Sequence, residues 1–526
     1  MNLRYLKFFV LAICLSVVAV TIHAQKPIQP HPVQIDSGKV LGVLTADQKV
    51  IAYKGIPFAA PPVGDLRWRP PQPVAKWKST LVAKDFGSHC IQFGGYPDMV
   101  FHDPGPSEDC LTLNVWAPSD TKPSKKSPGL PVMVWIYGGG YTTGGTSENR
   151  QDGQFLAHRG VIAVSMNYRL GIFGFMALPE LAAESANHAS GNYGLMDQTA
   201  AIAWVRRNIA AFGGDPTNIT IFGQSAGSMS VSAQIASPLA KDLFAKAIGE
   251  SGAEFPGGGR DMATHNQAEQ TNAAWAERVY GSSTLLYLRH LSADELAQKA
   301  NARFGPDIDG YFLPDSVPNI YAAGKQAHIP VLGGWVANES QPNGMPTAAS
   351  FTAQAQREFA ANAPAFLALY PATTDAEALQ SANDYARDRF IAYSTWAWLE
   401  AHVKTGNAPV YRYFFSLATP GDRNHPASQG AFHSDDIEYV FGTLDSRPEF
   451  RIRPEDRTLS EQMGEYWTNF AKTGDPNGPG LPRWLPYDAA GSWQVMHLDA
   501  NPASQPDALR PRDLFLDSQW GNATGK

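Results

Sequence analysis

The first residue in this chain with the setting for chemistry is a serine. The stretch NITIFGQSAGSMSV (218–231) runs from an apolar segment into Gly223-Gln224-Ser225-Ala226-Gly227 and on into small residues. The pattern G-x-S-x-G describes a sharp turn between a strand and a helix, on which a serine presents its hydroxyl at the end of a sheet. The flanking positions must be small because strand and helix nearly touch there. A glycine-flanked turn without chemistry would read the same over five residues. The apolar run before Ser225 and the helical stretch SMSVSAQIA after it favour a nucleophile.

A serine hydroxyl at neutral pH needs a base, and the base needs an orienting carboxylate. After such a turn the chain order is serine, acid, histidine. Seven histidines follow Ser225: His265, His290, His328, His402, His425, His433 and His497. Residue spacing does not choose among them. Acyl transfer also needs donors for a developing oxyanion. The stretch WIYGGGY (135–141) ends a buried-strand pattern in three glycines. Glycine lets backbone N–H groups approach a substrate with no Cβ in the way. Gly139 and Gly140, with the amide of Ala226, would form a three-donor hole; the plainer reading is a flexible loop.

Several elements must hold these residues in place. Apolar runs at 132–137, 161–168, 219–222, 245–252, 330–338 and 410–415 do not alternate with polar residues, which suits parallel strands buried on both faces. A helix is predicted over 195–212, with Ile202, Val205, Ile209 and Phe212 on one side and GGDP (213–216) as its stop. Strand, helix and strand in succession predict an α/β fold with a large, mostly parallel sheet flanked by helices. The runs 111–116 and 132–137 are predicted to form a hairpin around a polar surface loop, 117–131. The stretch from about 252 to 301 reads as a helical and loop insertion. No repeat or low-complexity linker appears, so 25–526 is read as one domain.

Composition narrows the classes. The chain has 526 residues, 44% hydrophobic and 17% charged, which argues against disorder. Its formal net charge is -7 with no Lys/Arg cluster, a poor match for nucleic acid. Residues 1–24 look like a signal peptide: Arg4 and Lys7, an apolar stretch over 8–22, then Ala24. The apolar stretch is short of the ~20 residues that span a bilayer, so export to the periplasm or outside is expected rather than stable membrane insertion. Cys14 goes with the leader. Cys90 and Cys110 remain and are expected to pair, two buried thiols being the alternative. DIDG (307–310) lacks the further acids of a calcium loop, and neither zinc-like spacing nor a phosphate-cradling loop is present, so no metal is expected.

The blocks YKGIPFAAPPVGDLRWRPPQP (53–73), SEDCLTLNVW (107–116), NYRLGIFGF (167–175), FHSDDIEYVFG (432–442) and YWTNFAKTGDPN (466–477), with the two glycine motifs, resemble the type-B carboxylesterase family of para-nitrobenzyl esterases and cholinesterases. The resemblance implies an α/β-hydrolase fold and a cofactor-free serine carboxylesterase acting on small-molecule esters. It makes Ser225 the nucleophile, Glu339 in VANES the acid and His433 in FHSDD the base. Gly139, Gly140 and Ala226 become the oxyanion donors, and Ser251 in GESGA a support for the acid and base. It pairs Cys90 with Cys110, Arg67 with Glu108 and Arg169 with Asp197. Two competing readings are a catalytically silent binding protein and a hydrolase of lipid, amide or carbamate substrates. The chain departs from the family at Ser340 and Ser434, where glycines usually follow the acid and the base. Its Cys–Cys loop carries Phe93, Tyr96 and Phe101 but no tryptophan, which disfavours quaternary-ammonium substrates. Those rings either pack the loop, the favoured reading, or line an aromatic pocket. Oligomeric state is not legible.

Overall fold

The computed structural model of the chain describes residues 29–521 apart from 93, 122–128, 256, 258–261, 301, 422–429 and 489–490. The expected leader, Phe93 and His425 lie outside the described residues.

Runs rich in Val, Ile, Trp and Phe become strands, as such residues fit a pleated, buried surface. Eleven of them join one sheet: β1 (Val43–Leu44), β2 (Val50–Pro57), β3 (Thr112–Pro118), β4 (Leu130–Ile136), β5 (Ile162–Met166), β6 (Gly214–Gln224), β7 (Lys246–Glu250), β8 (Val331–Val336), β9 (Val410–Phe415), β10 (Gln494–Leu498) and β11 (Ala503–Pro506). Their order across the sheet is β11-β10-β9-β8-β7-β6-β4-β5-β3-β2-β1. The strands from β10 to β5 pair in parallel, and the edges are antiparallel. All six predicted runs fall in the parallel part, where β5, β7 and β8 are buried along their whole length.

The hairpin expected across 117–131 does not form. β3 pairs antiparallel with β5, Leu113 opposite Met166, while β4 pairs in parallel with β5 and with β6. β5 therefore lies between β3 and β4. A polar loop joins neighbouring strands and crosses over a third equally well. Here β4 has both edges filled by parallel partners, which leaves none for β3.

Helices cover the sheet. The predicted helix is α1 (Tyr193–Asn208), prolonged by a 3-10 turn, Ile209–Phe212, and stopped at Gly213 with φ 89°. The others that matter are α2 (Ala226–Ala236), α3 (Tyr393–Thr405) and α4 (Pro454–Thr473). The insertion after β7 contains the helices His265–Tyr280, Leu285–His290 and Ala293–Lys299. A second insertion, between β8 and α3, ends in a π-helical turn, Asp388–Ala392. Among the described residues no helix is long and apolar enough to cross a membrane.

Cys90 and Cys110 form a disulfide with Cα atoms 5.0 Å apart. Arg67 meets Glu108 through two bonds of 2.7 Å, and Arg169 meets Asp197 through bonds of 2.7 and 2.8 Å. The neighbouring strands β4, β6, β7 and β8 all end at one side of the sheet. The residues beyond their carboxyl ends are Gly138–Gly140, Ser225, Ser251 and Glu339. Loops at the carboxyl ends of parallel strands are where α/β sheets hold ligands.

Candidate active site

Ser225 links β6 to α2. Its φ of 57° and ψ of -123° lie outside the ordinary regions for a residue with a Cβ, a strain of order 1–3 kcal/mol that the surroundings must hold. They do so by bonds and by closeness. The Ser225 N–H donates to Glu250 O at 2.8 Å, and its carbonyl accepts from Met229 N at 2.9 Å. A Cβ on Gly223 would stand 2.6 Å from the backbone of Gly227, and one on Gly227 would collide with the Ile136 carbonyl. The two glycines of the motif are thus required by the contact of β6, β4 and α2.

His433 comes from the loop before the short helix Ile437–Phe441. Its Nε2 lies 2.9 Å from Ser225 Oγ, and its Nδ1 2.5 Å from Glu339 Oε2. The Glu339 side chain is fully buried. Its other oxygen accepts from Ser251 Oγ at 2.6 Å and from Val336 N–H at 2.9 Å. Every proposed member of the serine–histidine–acid set, and Ser251, meets in one hydrogen-bonded chain. The other described histidines are elsewhere: His265 beside Asp307, His402 on the Ile329 carbonyl, His497 against Phe414.

Electrostatics act on His433 in both directions. Burial pulls the imidazole pKa down. The charge and hydrogen bond of Glu339, with Asp436 and Asp98 adding, outweigh it, and the net shift is upward. Burial, with the charge of Glu339 adding, pushes Asp436 up to about 7 against the Tyr413 hydroxyl bond and the His433 charge.

Gly139 (φ 107°) and Gly140 (φ 64°) follow β4. A side chain at Gly139 would strike the Thr143 carbonyl. Among the described residues the amides of Gly139, Gly140 and Ala226 donate no hydrogen bond. Ala226 opens α2, whose N-terminal amides carry partial positive charge.

The sequence profile of the carboxylesterase family matches residues 29–514.

The chain belongs to the carboxylesterase family.

It is 38% identical to the para-nitrobenzyl esterase of Bacillus subtilis (strain 168) over 504 residues, covering 91% of this chain and 97% of that protein. It is 36% identical to the fumonisin B1 esterase of Sphingopyxis macrogoltabida over 478 residues, covering 86% and 84%. Among solved structures, a PNB esterase superposes with a TM-score of 0.78 at 34% identity, covering 93% of this chain and 99% of that one. The fold is the α/β-hydrolase fold, and this carboxylesterase-family chain is a carboxylic ester hydrolase acting on small-molecule esters.

The two departures from the family differ in consequence. Ser434 has φ 75°, a left-handed conformation that glycine adopts freely and serine does not. Its hydroxyl sits 3.5 Å from Arg150, which pairs with Asp98 of the disulfide loop at 2.7 Å. Ser340 is not among the positive-φ residues. In the disulfide loop Phe101 stacks on His89 at 4.5 Å, in line with loop packing, whereas Tyr96 is exposed and is not packed into the loop.

Three residues near the site were not singled out from sequence. Gln224 places Nε2 3.4 Å from His433 Nε2, and its position beside Ser225 was the available signal. Asp436, three residues past His433, was visible in the same motif. Phe390 meets the His433 ring edge-on at 5.3 Å from the π-turn, and no local pattern marks it.

Proposed function

We propose that the chain is an exported serine carboxylesterase working through an acyl-enzyme. The observation that carries this reading is the chain of bonds from Glu339 to His433 (2.5 Å) and from His433 to Ser225 (2.9 Å). His433 takes the Ser225 proton as Oγ attacks the ester carbonyl. Glu339 fixes the imidazole tautomer and stabilises the imidazolium. The amides of Gly139, Gly140 and Ala226 receive the oxyanion, each such donor typically contributing about 3–4 kcal/mol to the transition state. His433 returns the proton to the leaving alcohol. A water then repeats the sequence and frees the acid. Ser251 acts through Glu339 as a positioning residue. Export is supported by the leader pattern over 1–24 and by the Cys90–Cys110 bond, since disulfides persist in oxidising compartments.

Aromatic esters suit the cavity that Met229 and Phe390 help to wall, and whose lining also includes Phe175, Phe255 and Phe304. Ser225→Ala is expected to abolish p-nitrophenyl ester turnover and labelling by a fluorophosphonate probe. Turnover near the parent rate in that variant would end the assignment.

A further inference from the structure

A cavity of about 420 Å³ is walled in part by neighbours of the reacting groups. Its wall contains Tyr141, which follows the glycine triplet, Met229, one turn past Ser225 in α2, and Phe390, whose ring meets His433. Two guanidinium groups face the same space, Arg303 and Arg389. They come from separate parts of the chain, Arg303 from the end of the first insertion and Arg389 from the π-turn. π-Turns are rare and concentrate at functional sites.

The wall holds two guanidiniums and two carboxyls, and these differ in their partners. Arg389 pairs at 3.3 Å with Glu358, which is not part of the wall. Arg303 is exposed and makes no ion pair or side-chain hydrogen bond among the described residues. The two acids of the wall are both engaged. Glu254 accepts from the Tyr141 hydroxyl at 2.8 Å. Asp307 lies 3.1 Å from His265 Nδ1, and burial pushes its carboxyl up to about 7. Arg303 is therefore the charged group of this ring-lined wall that has no partner among the described residues. An exposed guanidinium without a counter-ion attracts a ligand group of opposite charge. The planar guanidinium fork matches a planar carboxylate with two donors, which ammonium does not.

We propose that this cavity receives a substrate group bearing a carboxylate, with Arg303 as the specificity-determining charge and Arg389 beside it. The preferred esters are then anionic: half-esters of dicarboxylic acids, or esters of alcohols that carry a carboxylate. This rests on the reading of Ser225 as nucleophile, whose neighbours form the cavity wall.

Matched substrate pairs test it. Monoethyl glutarate against diethyl glutarate probes a carboxylate on the acyl side. 3-Acetoxypropanoate against its methyl ester probes the alcohol side. Rates are followed by pH-stat titration, with p-nitrophenyl acetate as reference. In one arm the anionic member is expected to have a kcat/KM about tenfold or more above its neutral partner, carried by KM. Rising salt should shrink that ratio. Arg303→Gln should bring the pair to within about twofold, and Arg303→Glu should invert the preference. Preference for the neutral ester in both arms overturns the proposal, and so does an anionic preference that survives in Arg303→Gln. Turnover of p-nitrophenyl acetate without anionic preference sinks the charge inference alone. Failure of both p-nitrophenyl acetate turnover and fluorophosphonate labelling sinks the nucleophile reading, and this inference with it.

Discussion

At His433 the sign of one pKa shift fixes a kinetic expectation. The base works only when neutral, so kcat/KM rises with pH through the imidazole pKa. Burial lowers that pKa, but Glu339, Asp436 and Asp98 raise it by more. The acid limb of the pH–rate profile should therefore sit above the ordinary histidine value of about 6.5. Glu339→Gln keeps the shape of the acid and removes its charge. The limb should move to lower pH while kcat falls by about 10³- to 10⁴-fold, because the tautomer is no longer enforced. A parent limb at or below about 6.5, or a limb that does not move in the variant, contradicts the account. Ser225 was legible in the sequence because its constraint is local: two glycines, a strand and a helix lie within a dozen residues. His433 was not legible from spacing, since a loop 208 residues away delivers it. It was chosen from seven histidines only by resemblance.

The element that decides Ser225's conformation is the junction of β4, β6 and α2. Gly227 stands where α2 leaves the sheet, with the Ile136 carbonyl against its Cα. Gly227→Ala must push α2 away from β4. Overpacking of this kind costs about 1–3 kcal/mol, more where the obstacle is backbone. The variant should melt lower than the parent and should also lose fluorophosphonate labelling, since Ser225 and Ala226 move with the helix. Unchanged melting together with unchanged labelling would mean that the junction is looser than its contacts imply. Gly140→Ala makes the contrast: its Cβ would meet only Thr142 Oγ1, at 3.8 Å, so its cost comes from φ 64° and not from collision. The parallel strands were legible for a related reason. Strands buried on both faces need unbroken apolar runs, and all six runs became such strands. The hairpin across 117–131 failed because strand neighbours are set by the whole sheet, not by chain proximity. Of the antiparallel strands only β3 was read, at 111–116; β1, β2 and β11, and the parallel β10, went unread because none carries a long unbroken apolar run.

For the molecule as a whole, the cavity wall was the least legible part. Tyr141, Met229, Arg303 and Phe390 come from four separate segments, and only the fold makes them neighbours. The same burial gives the protein a pH dependence of stability that no single motif carries. Glu148, Asp307, Asp435 and Asp436 are each pushed up to about 7, chiefly by burial. In the unfolded chain such groups ionise near pH 4. Between those values the folded state holds protons that the unfolded state has released, so stability falls as pH rises toward and through about 7. His265 and His433 are raised, His265 chiefly by its hydrogen bond to Asp307. Their contribution is full below the unfolded histidine value and is lost as pH rises through the folded one, in the same direction. His402, pulled down to about 4 by burial, and His497, also lowered by burial, act oppositely, but their gain is nearly complete by about pH 7. Carboxylates lowered by partners, such as Asp103 and Asp456, act only at more acid pH. From pH 6.5 to 8 the losses stand alone, so the thermal midpoint should drop by about 2 °C or more. Asp435→Asn separates this cause from others. Its side-chain oxygen can still accept from Phe432 N–H and Thr419 Oγ, now 2.7 and 2.8 Å from Asp435, but it cannot ionise. The drop should be smaller in that variant. A midpoint that climbs across the same interval would show that the buried carboxyls stay ionised in the folded protein.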